Sequence, residues 1–183
     1  LVCSEMCIRD RVVSMLRKCG LSKIVMMTGD SERTAKVVAA KVGVDEYYSE
    51  VLPEDKASYV EKEHQAGRKV IMIGDGVNDS PALSAADVGI AICDGAEMAR
   101  EIADITIAGD NLEELVTLKR LSNALVKRIH GNYRQIVGFN TGLILCGIGG
   151  VMQPATSALL HNTSTLAISV KSMKDLLTEK DEK

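Results

Sequence analysis

A stretch of 36 residues without a charged side chain, residues 135–170, constrains this chain more than any other feature. Its two halves, Gln135 to Met152 and Ala155 to Val170, each approach the roughly 17–20 apolar residues that cross a bilayer as a helix. Gln153 and Pro154 stand between the halves, where a tight turn is needed. Glycines in the first half favour membrane helices that approach closely over the alternative, two buried helices of a soluble protein.

Basic side chains flank this stretch on both sides, before it at Lys127, Arg128, His130 and Arg134 and after it at Lys171 and Lys174. Because basic flanks mark the cytoplasmic side of a membrane, both ends of the stretch are expected to face the cytoplasm. The sequence therefore predicts a stalk helix over 111–134, a two-helix transmembrane hairpin over 135–174, and a charged, disordered tail over 175–183.

Residues 12–110 carry a different pattern, in which charged residues are evenly spread and short apolar runs alternate with helical spacing. The apolar runs predict buried strands at 23–27, 70–73, 88–92 and 105–107, with a further short strand near Tyr47. Between them, Ser31 is expected to cap one helix that Gly43 ends, and Pro53 opens another. Strands separated by helices predict an α/β domain with a parallel sheet and helices on its faces.

The net charge and the spacing of the cysteines exclude further classes of function. The net charge of −3 argues against a nucleic-acid partner held by phosphate contacts. The five cysteines are scattered and form no Cys-x-x-Cys pair, which indicates a reduced intracellular protein. Cys3 and Cys7 are four residues apart, but no further metal ligand lies near them in the sequence.

Residues 1–11 show no helical or strand periodicity and are left unassigned, with a non-native origin as one interpretation.

The loop after the strand at 70–73 carries the chemistry, in the string Gly74-Asp-Gly-Val-Asn-Asp-Ser-Pro-Ala-Leu83. Ligand sites in open parallel sheets lie at the carboxyl ends of strands. Asp75 and Asp79 place two carboxylates on one turn, which repel unless a cation such as Mg2+ lies between them. Asn78 can orient a phosphoryl oxygen. The alternative, an Asp-rich turn without a role, suits a short Asp-Gly better than this whole string.

This string closely resembles the hinge motif of P-type ATPases, within the haloacid-dehalogenase-like superfamily. Two further segments fit in the same order. Met27-Thr28-Gly29-Asp30 is similar to the family's Thr-Gly-Asp loop, and Leu52-Pro53-Glu54-Asp55-Lys56 to its Pro-x-x-Lys segment. The resemblance covers residues 12–177 and implies a partial haloacid-dehalogenase-like, Rossmann-like fold over 12–110.

The resemblance implies a role for each matching residue. Asp75 and Asp79 would hold Mg2+, and Lys56 would neutralise phosphoryl charge, the alternative being a surface lysine. Thr28 would hydrogen-bond a phosphoryl oxygen, while Gly29 and Asp30 would shape the same pocket. Phosphoryl transfer needs mainly positioning and charge neutralisation, which these residue types supply.

Several parts of the family pattern are absent from this sequence. The string Asp-Lys-Thr-Gly-Thr, which carries the nucleophile, does not occur, and neither do the nucleotide-binding and actuator segments or the Cys-Pro-x motif. The chain is therefore expected to be a C-terminal fragment whose partner is the missing N-terminal part of the same polypeptide. ATP would be bound mainly by a missing domain, and the fragment alone is predicted to be inactive.

The second half of the uncharged stretch suggests the transported ion. His161 and Thr165 lie four residues apart on one helix face, next to Asn162, and Asn140 in the first half could face them. This resembles a cobalt- and iron-linked His-Glu-Gly-x-Thr pattern, with Asn and Thr replacing Glu and Gly. Imidazole, amide and hydroxyl ligands suit a divalent transition metal better than Cu(I). Polar contacts between the helices are the alternative role.

The sequence thus predicts a heavy-metal P-type ATPase of a bacterial plasma membrane, surrounded by lipid, with a cytoplasmic phosphorylation domain. Four other interpretations remain open at this point. They are a copper-transporting member, a potassium-pump subunit, a soluble phosphatase of the same superfamily, and a non-catalytic membrane fragment that binds or regulates. The phosphatase would need an Asp-x-Asp near its N-terminus, which is absent, and would not need residues 135–170.

Overall fold

A computed structural model of the chain describes residues 11–74, 77–93, 102–108 and 112–177. The described residues fall into two compact units, one within Leu1–Val116 and the other within Thr117–Lys183. Asp75, most of the unassigned segment 1–11 and the end of the predicted tail lie outside the described residues.

The first unit alternates helices and strands. A first helix, α1, covers residues 11–18 of the described part. It is followed by β1 (Val25–Met27), α2 (Glu32–Val42), β2 (Glu46–Tyr48), α3 (Pro53–Gln65), β3 (Ile71–Gly74), a 3-10 turn (Val77–Asp79), α4 (Ser80–Ala85), β4 (Val88–Cys93) and β5 (Ile105–Ala108). The predicted strands are therefore all present, with bounds shifted by a few residues.

All strand pairs are parallel, as the sequence predicts, but they form two sheets instead of one. β1 pairs with β2, so that Val25 lies opposite Glu46. β3, β4 and β5 form the other sheet in that order, with Ile73 opposite Ile90 and Ile90 opposite Ile105. In the described part of the chain, β1 and β3 are not hydrogen-bonded to one another, which divides the strands into these two sheets.

Helix ends follow the local sequence signals in part. Gly43 ends α2 with a left-handed φ of 72°, and Pro53 occupies the first turn of α3. Ser31 is the N-cap residue of α2, but its side chain makes no capping hydrogen bond to the backbone. The predicted position of the N-cap residue is therefore confirmed, but the expected side-chain hydrogen bond to the helix backbone is wrong, because the Ser31 hydroxyl bonds the Thr34 hydroxyl instead.

The buried hydrophobic residues of the first unit are spread over its helices and strands. They are Val12, Leu16, Ala35, Ala39, Val60, Ala82, Leu83, Ile90, Ala91, Ile107, Leu115 and Val116. The expectation that β3 is a buried strand is wrong for two of its residues. Ile71 and Ile73 are 41% and 39% exposed, and β3 is one of the two edge strands of its sheet among the described residues.

The second unit is a pair of helices. α5 (Glu113–Ile148) runs without interruption through the predicted stalk and the predicted first span, and α6 (Pro154–Ser172) follows after a short link. Gln153 and Pro154 begin α6 and do not form the turn itself, which lies just before them. Within the described residues, no helix has the length and apolar character that a membrane span requires.

Candidate functional site

The site is built at the carboxyl end of β3. Gly74 ends this strand, and Asp79 lies a few residues later at the N-cap position of α4. A side-chain carbon added to Gly74 would lie 2.6 Å from Asp79 Cβ and 2.8 Å from its Oδ2 atom. Only glycine therefore lets the Asp79 side chain fold back against the end of the strand. Asp79 is 6% exposed, one of few charged residues buried in the described part.

Lys56 is the partner of this buried carboxylate. Its Nζ donates to Asp79 Oδ1 at 2.6 Å, and the two side chains are 16% and 8% exposed. Lys56 lies in the first turn of α3, whose start is fixed by Pro53 and by Asp55, which accepts a hydrogen bond from Leu52 N. The structure thus brings together Lys56 and Asp79, from two separate sequence motifs, at one strand end.

The Thr28-Gly29-Asp30 loop forms a compact turn after β1. Asp30 N donates to Thr28 Oγ1, and the Thr28 hydroxyl donates to Asp30 Oδ2, both at 3.1 Å. The loop is tied to the segment after β2, because Val51 N donates to Thr28 O and Glu50 N to Asp30 O. The hydroxyl is thereby held in place at the carboxyl end of β1, on a half-buried residue.

The remaining predicted residues of this site differ in their surroundings. Asn78 is exposed, so its amide is available to a ligand. Asp75 lies outside the described residues, so one of the two carboxylates predicted to hold Mg2+ is described. The donor chemistry of Asp79 fits Mg2+, since hard carboxylate oxygens are the ligands this ion prefers. The described chain holds no group of three or more His, Cys, Asp and Glu side chains that could bind a metal ion.

A second polar site joins α5 and α6. His161 Nδ1 lies 2.8 Å from Asn140 Oδ1, so the structure confirms the expected proximity of these two residues. Thr165 lies on the same side of α6 as His161, because its hydroxyl donates to the His161 carbonyl at 3.0 Å. Asn162 is exposed. Asn140 and His161 are therefore in contact, Thr165 lies about one turn further along α6, and all three are exposed or half-buried.

Sequence reasoning missed the ion-pair network that supports the first unit. Glu63 is 7% exposed and accepts hydrogen bonds from Lys23 and Arg68. Hydrogen bonding by Arg68 lowers the pKa of Glu63 to about 2. The one available signal was the position of Glu63, three residues after the buried Val60 on α3, which places both on one helix face.

A second missed contact lies at the amino end of β3. His64 and Lys69 both contact the carboxylate of Asp87, at 2.7 Å each. The hydrogen bond from Lys69, followed by that from Val70 N, holds the pKa of Asp87 far below its usual range. This cluster fixes the strand end opposite to the one that carries Lys56 and Asp79. It contributes to structure at a distance from the candidate site.

Comparison with known proteins adds family evidence to this geometry. A haloacid dehalogenase-like hydrolase family matches residues 8–87. The chain is 42% identical over 164 residues to a zinc-exporting P-type ATPase of Mycobacterium marinum, an alignment that covers 89% of this chain and 22% of that protein. It is likewise 42% identical to a manganese-exporting P-type ATPase of Mycobacterium leprae, with 89% and 23% covered.

The fold also matches solved structures. A crystal structure of a zinc-transporting PIB-type ATPase superposes with a TM-score of 0.81 at 31% identity, covering 92% of this chain and 27% of that one. A bacterial 3-deoxy-D-manno-octulosonate 8-phosphate phosphatase from Moraxella catarrhalis, solved with a magnesium ion, shares the fold alone, with a TM-score of 0.52 at 20% identity. The chain spans little more than a fifth of the length of the curated relatives described above.

Proposed function

Since the chain carries a haloacid dehalogenase-like hydrolase domain and is homologous to metal-exporting P-type ATPases, we propose that it is the C-terminal portion of such a pump. In this proposal the first unit supplies the Mg2+ and phosphoryl end of the catalytic site, and the helix pair belongs to the membrane part. The observation that carries the proposal is the buried Lys56–Asp79 pair at the carboxyl end of β3.

Each residue of the first site has a chemical task in this proposal. The Lys56 ammonium neutralises negative charge on a phosphoryl group that sits at the strand end, and Asp79 holds that ammonium in place. Asp79 and Asp75 would hold Mg2+, which supplies further positive charge against the phosphoryl oxygens. The exposed Asn78 amide is a donor for the same oxygens, and the Thr28 hydroxyl becomes one when it exchanges its hydrogen bond to Asp30 for one to a phosphoryl oxygen.

The enzymatic part is tested in the full-length parent, with ATP as substrate and an aspartyl phosphate as the expected intermediate. Lys56→Ala should lower metal-stimulated ATP hydrolysis and phosphoenzyme formation by roughly 100-fold or more, as loss of one charge-stabilising group does in other enzymes. Lys69→Ala removes an exposed lysine that also pairs with an aspartate and serves as the control. Normal phosphoenzyme formation by the Lys56 variant would contradict the proposed role.

The proposal also places α5 and α6 in a membrane. Both helices expose large apolar side chains, among them Ile144, Leu145, Ile148, Leu159 and Leu166, each more than 60% exposed. Burying such surface is favourable by about 25 cal/mol per Å², so an apolar environment for this pair is strongly favoured. The absence of charge over residues 135–170 and the membrane-pump relatives support the same placement.

Two cysteines offer a direct test of this placement. Cys146 lies in α5 and Cys19 in the first unit, and both are half-buried. In vesicles that contain the chain, a membrane-impermeant maleimide should label Cys19 and leave Cys146 unlabelled until detergent is added. Variants that retain one of these cysteines at a time make the comparison direct. Equal labelling of both thiols in intact vesicles would contradict the membrane placement.

For the transported ion, we place a divalent transition metal at His161, with Asn140, Asn162 and Thr165 as further candidate ligands. A proton on His161 Nδ1, donated to Asn140 Oδ1, leaves the Nε2 lone pair for a metal ion. The relatives named above export zinc or manganese, which agrees with a divalent ion. His161→Gln should reduce zinc binding by the chain in equilibrium dialysis, whereas His64→Gln, at a residue paired with Asp87, should not.

A further inference from the structure

One face of α5 carries a groove, lined by basic side chains, that the proposed pump chemistry does not use. The groove has a volume of about 750 Å3, and its lining includes Lys119, Lys127, His130 and Arg134 together with Tyr133. The other lining residues are Ser122, Asn123 and Val126, so no acidic side chain contributes to it. Its electrostatic character is therefore set by Lys119, Lys127 and Arg134, which are all positively charged.

The arrangement of these basic side chains follows from helix geometry. Residues on an α-helix advance by about 100° each, so positions 119, 127, 130 and 134 share one side. Arg128 lies nine positions after Lys119, about 180° away on the opposite side. There its guanidinium donates to the carbonyl oxygens of Ser172, Lys174 and Asp175 at the end of α6. The basic segment is thus divided, with Arg128 turned to the partner helix and the others outward.

Within the residues that the structure describes, no carboxylate neutralises Lys127 or Arg134, two outward cations near the uncharged stretch. In the described part of the chain, Lys127 and Arg134 enter no ion pair, whereas first-unit cations such as Lys23, Lys56 and Arg68 do. A groove whose charged side chains all have one sign concentrates anions from its surroundings.

The groove ends where the uncharged stretch begins. Arg134 directly precedes residue 135, the first residue without charge, and Lys127 lies about 10 Å further along the helix axis. Tyr133 is 65% exposed beside them, and exposed tyrosines are typical of the bilayer interface. Lys119 lies about 22 Å from Arg134, more than twice the Debye length of about 8 Å at physiological salt.

We propose that Lys127, His130 and Arg134, with Tyr133, form a binding site for the phosphate headgroup of an anionic phospholipid. The site rests on the proposed membrane placement of α5, which brings these residues to headgroup depth. The positive charge of Lys127 and Arg134 favours an anionic lipid over a zwitterionic one. The position of the site beside residue 135, where the uncharged stretch begins, favours a lipid headgroup over a soluble anion. Each cation near an anionic surface strengthens binding about 5-fold.

The test uses the full chain in a neutral detergent, titrated with short-chain phosphatidylglycerol, short-chain phosphatidylcholine and inorganic phosphate in separate experiments. Phosphatidylglycerol should bind at least 10-fold more tightly than phosphatidylcholine, and added salt should weaken it. Lys127→Gln/Arg134→Gln should weaken phosphatidylglycerol binding roughly 30-fold. Lys119→Gln, on the same face but further from the apolar stretch, should change it by less than about 2-fold.

The control removes two cations elsewhere. Arg33→Gln/Lys41→Gln, on the exposed surface of α2, should leave lipid binding unchanged. Equal binding of the two lipids, or equal losses in the two double variants, would overturn the site. Inorganic phosphate that binds as tightly as phosphatidylglycerol would show a soluble-anion site and overturn the lipid assignment. Failure of the membrane placement itself would instead appear in the Cys146 labelling experiment, so the two failures are distinguishable.

Discussion

Lys56 and Asp79, 23 residues apart in the sequence, form an ion pair of 2.6 Å in which both side chains are largely shielded from water. A second lysine–aspartate pair in the same unit, Lys69 with Asp87, has nearly the same length, 2.7 Å, but its lysine is 89% exposed. Equal distance and unequal burial make these two pairs a natural comparison. The contribution of each ion pair to the free energy of unfolding depends on its burial, because water screens the exposed pair.

The first prediction follows from this contrast. Lys56→Met leaves the buried Asp79 carboxylate without its cation and should lower the free energy of unfolding by about 3 kcal/mol. Lys69→Met should lower it by less than about 1 kcal/mol, since Asp87 keeps a backbone and a histidine partner. Urea unfolding of the first unit within the full chain, followed by circular dichroism, measures both. Equal losses in the two variants would show that burial is not decisive.

The second prediction concerns Gly74, which ends β3, and Gly29, in the loop after β1. Gly74→Ala would place a carbon 2.6 Å from Asp79 Cβ and should cost about 1–3 kcal/mol through forced displacement of that side chain. Gly29→Ala meets its nearest neighbour, Val51 O, at 4.0 Å, an ordinary contact, and should cost less than about 1 kcal/mol. Thermal unfolding of both variants gives the comparison. A well-tolerated Gly74→Ala would mean that Asp79 does not depend on this close approach.

Local sequence signals were sufficient for the order of elements in the first unit. Apolar runs marked the strands, Gly43 and Pro53 marked helix ends, and the parallel direction followed from the alternation of strands and helices. The division into two sheets did not follow, because strand pairing depends on contacts between distant segments. For the same reason the exposure of Ile71 and Ile73 could not be foreseen from an apolar run.

The site was predictable to a similar extent. The sequence motifs identified Lys56 and Asp79 as site residues. Their contact could not be predicted, because no sequence periodicity relates two residues in separate motifs. The pairing of His161 with Asn140 was anticipated because both polar residues interrupt an apolar tract. The contacts of Glu63 and Arg128 were not anticipated, since surface helices are rich in charged residues and nothing local marks the few that turn inward.

The third prediction is a dependence of stability on pH through Glu63. Its hydrogen bond from Arg68 lowers its pKa from 4.5 to about 2 in the folded state. A lowered carboxylate pKa contributes stability that is fully present above the unfolded pKa of 4.5 and is lost as pH falls through about 2. Glu63→Gln should therefore destabilise the chain at pH 7 by on the order of 2 kcal/mol, and by progressively less as the pH falls below the unfolded pKa.

Urea titrations of the native chain and Glu63→Gln at a series of pH values measure this difference. Glu61→Gln is the matched control, because Glu61 is an exposed residue of the same helix. Its difference from the native chain should stay small and nearly constant with pH. A pH-independent difference for the Glu63 variant would show that its effect comes from packing and not from ionisation.

The last prediction concerns the end of α6. The final carbonyl groups of a helix have no partner within it, and Arg128 of α5 supplies donors to three carbonyls at this end, including that of Ser172 at 3.1 Å and that of Asp175 at 2.7 Å. Asn132 adds a hydrogen bond to the Ser172 hydroxyl at 2.7 Å. Because a lysine presents one point of charge where arginine presents a planar fork, Arg128→Lys should not replace these contacts.

Hydrogen exchange of the amides in the last turn of α6 measures the consequence. Loss of charge-assisted hydrogen bonds worth about 1.5–3 kcal/mol each should speed exchange there at least 10-fold in both Arg128→Lys and Arg128→Gln. Lys127→Gln, one position before Arg128, removes a cation that lines the groove on α5 and should leave this exchange unchanged. Equal exchange in all three variants would show that the turn is held by its own helix, and that Arg128 contributes charge without fixing how α5 and α6 align.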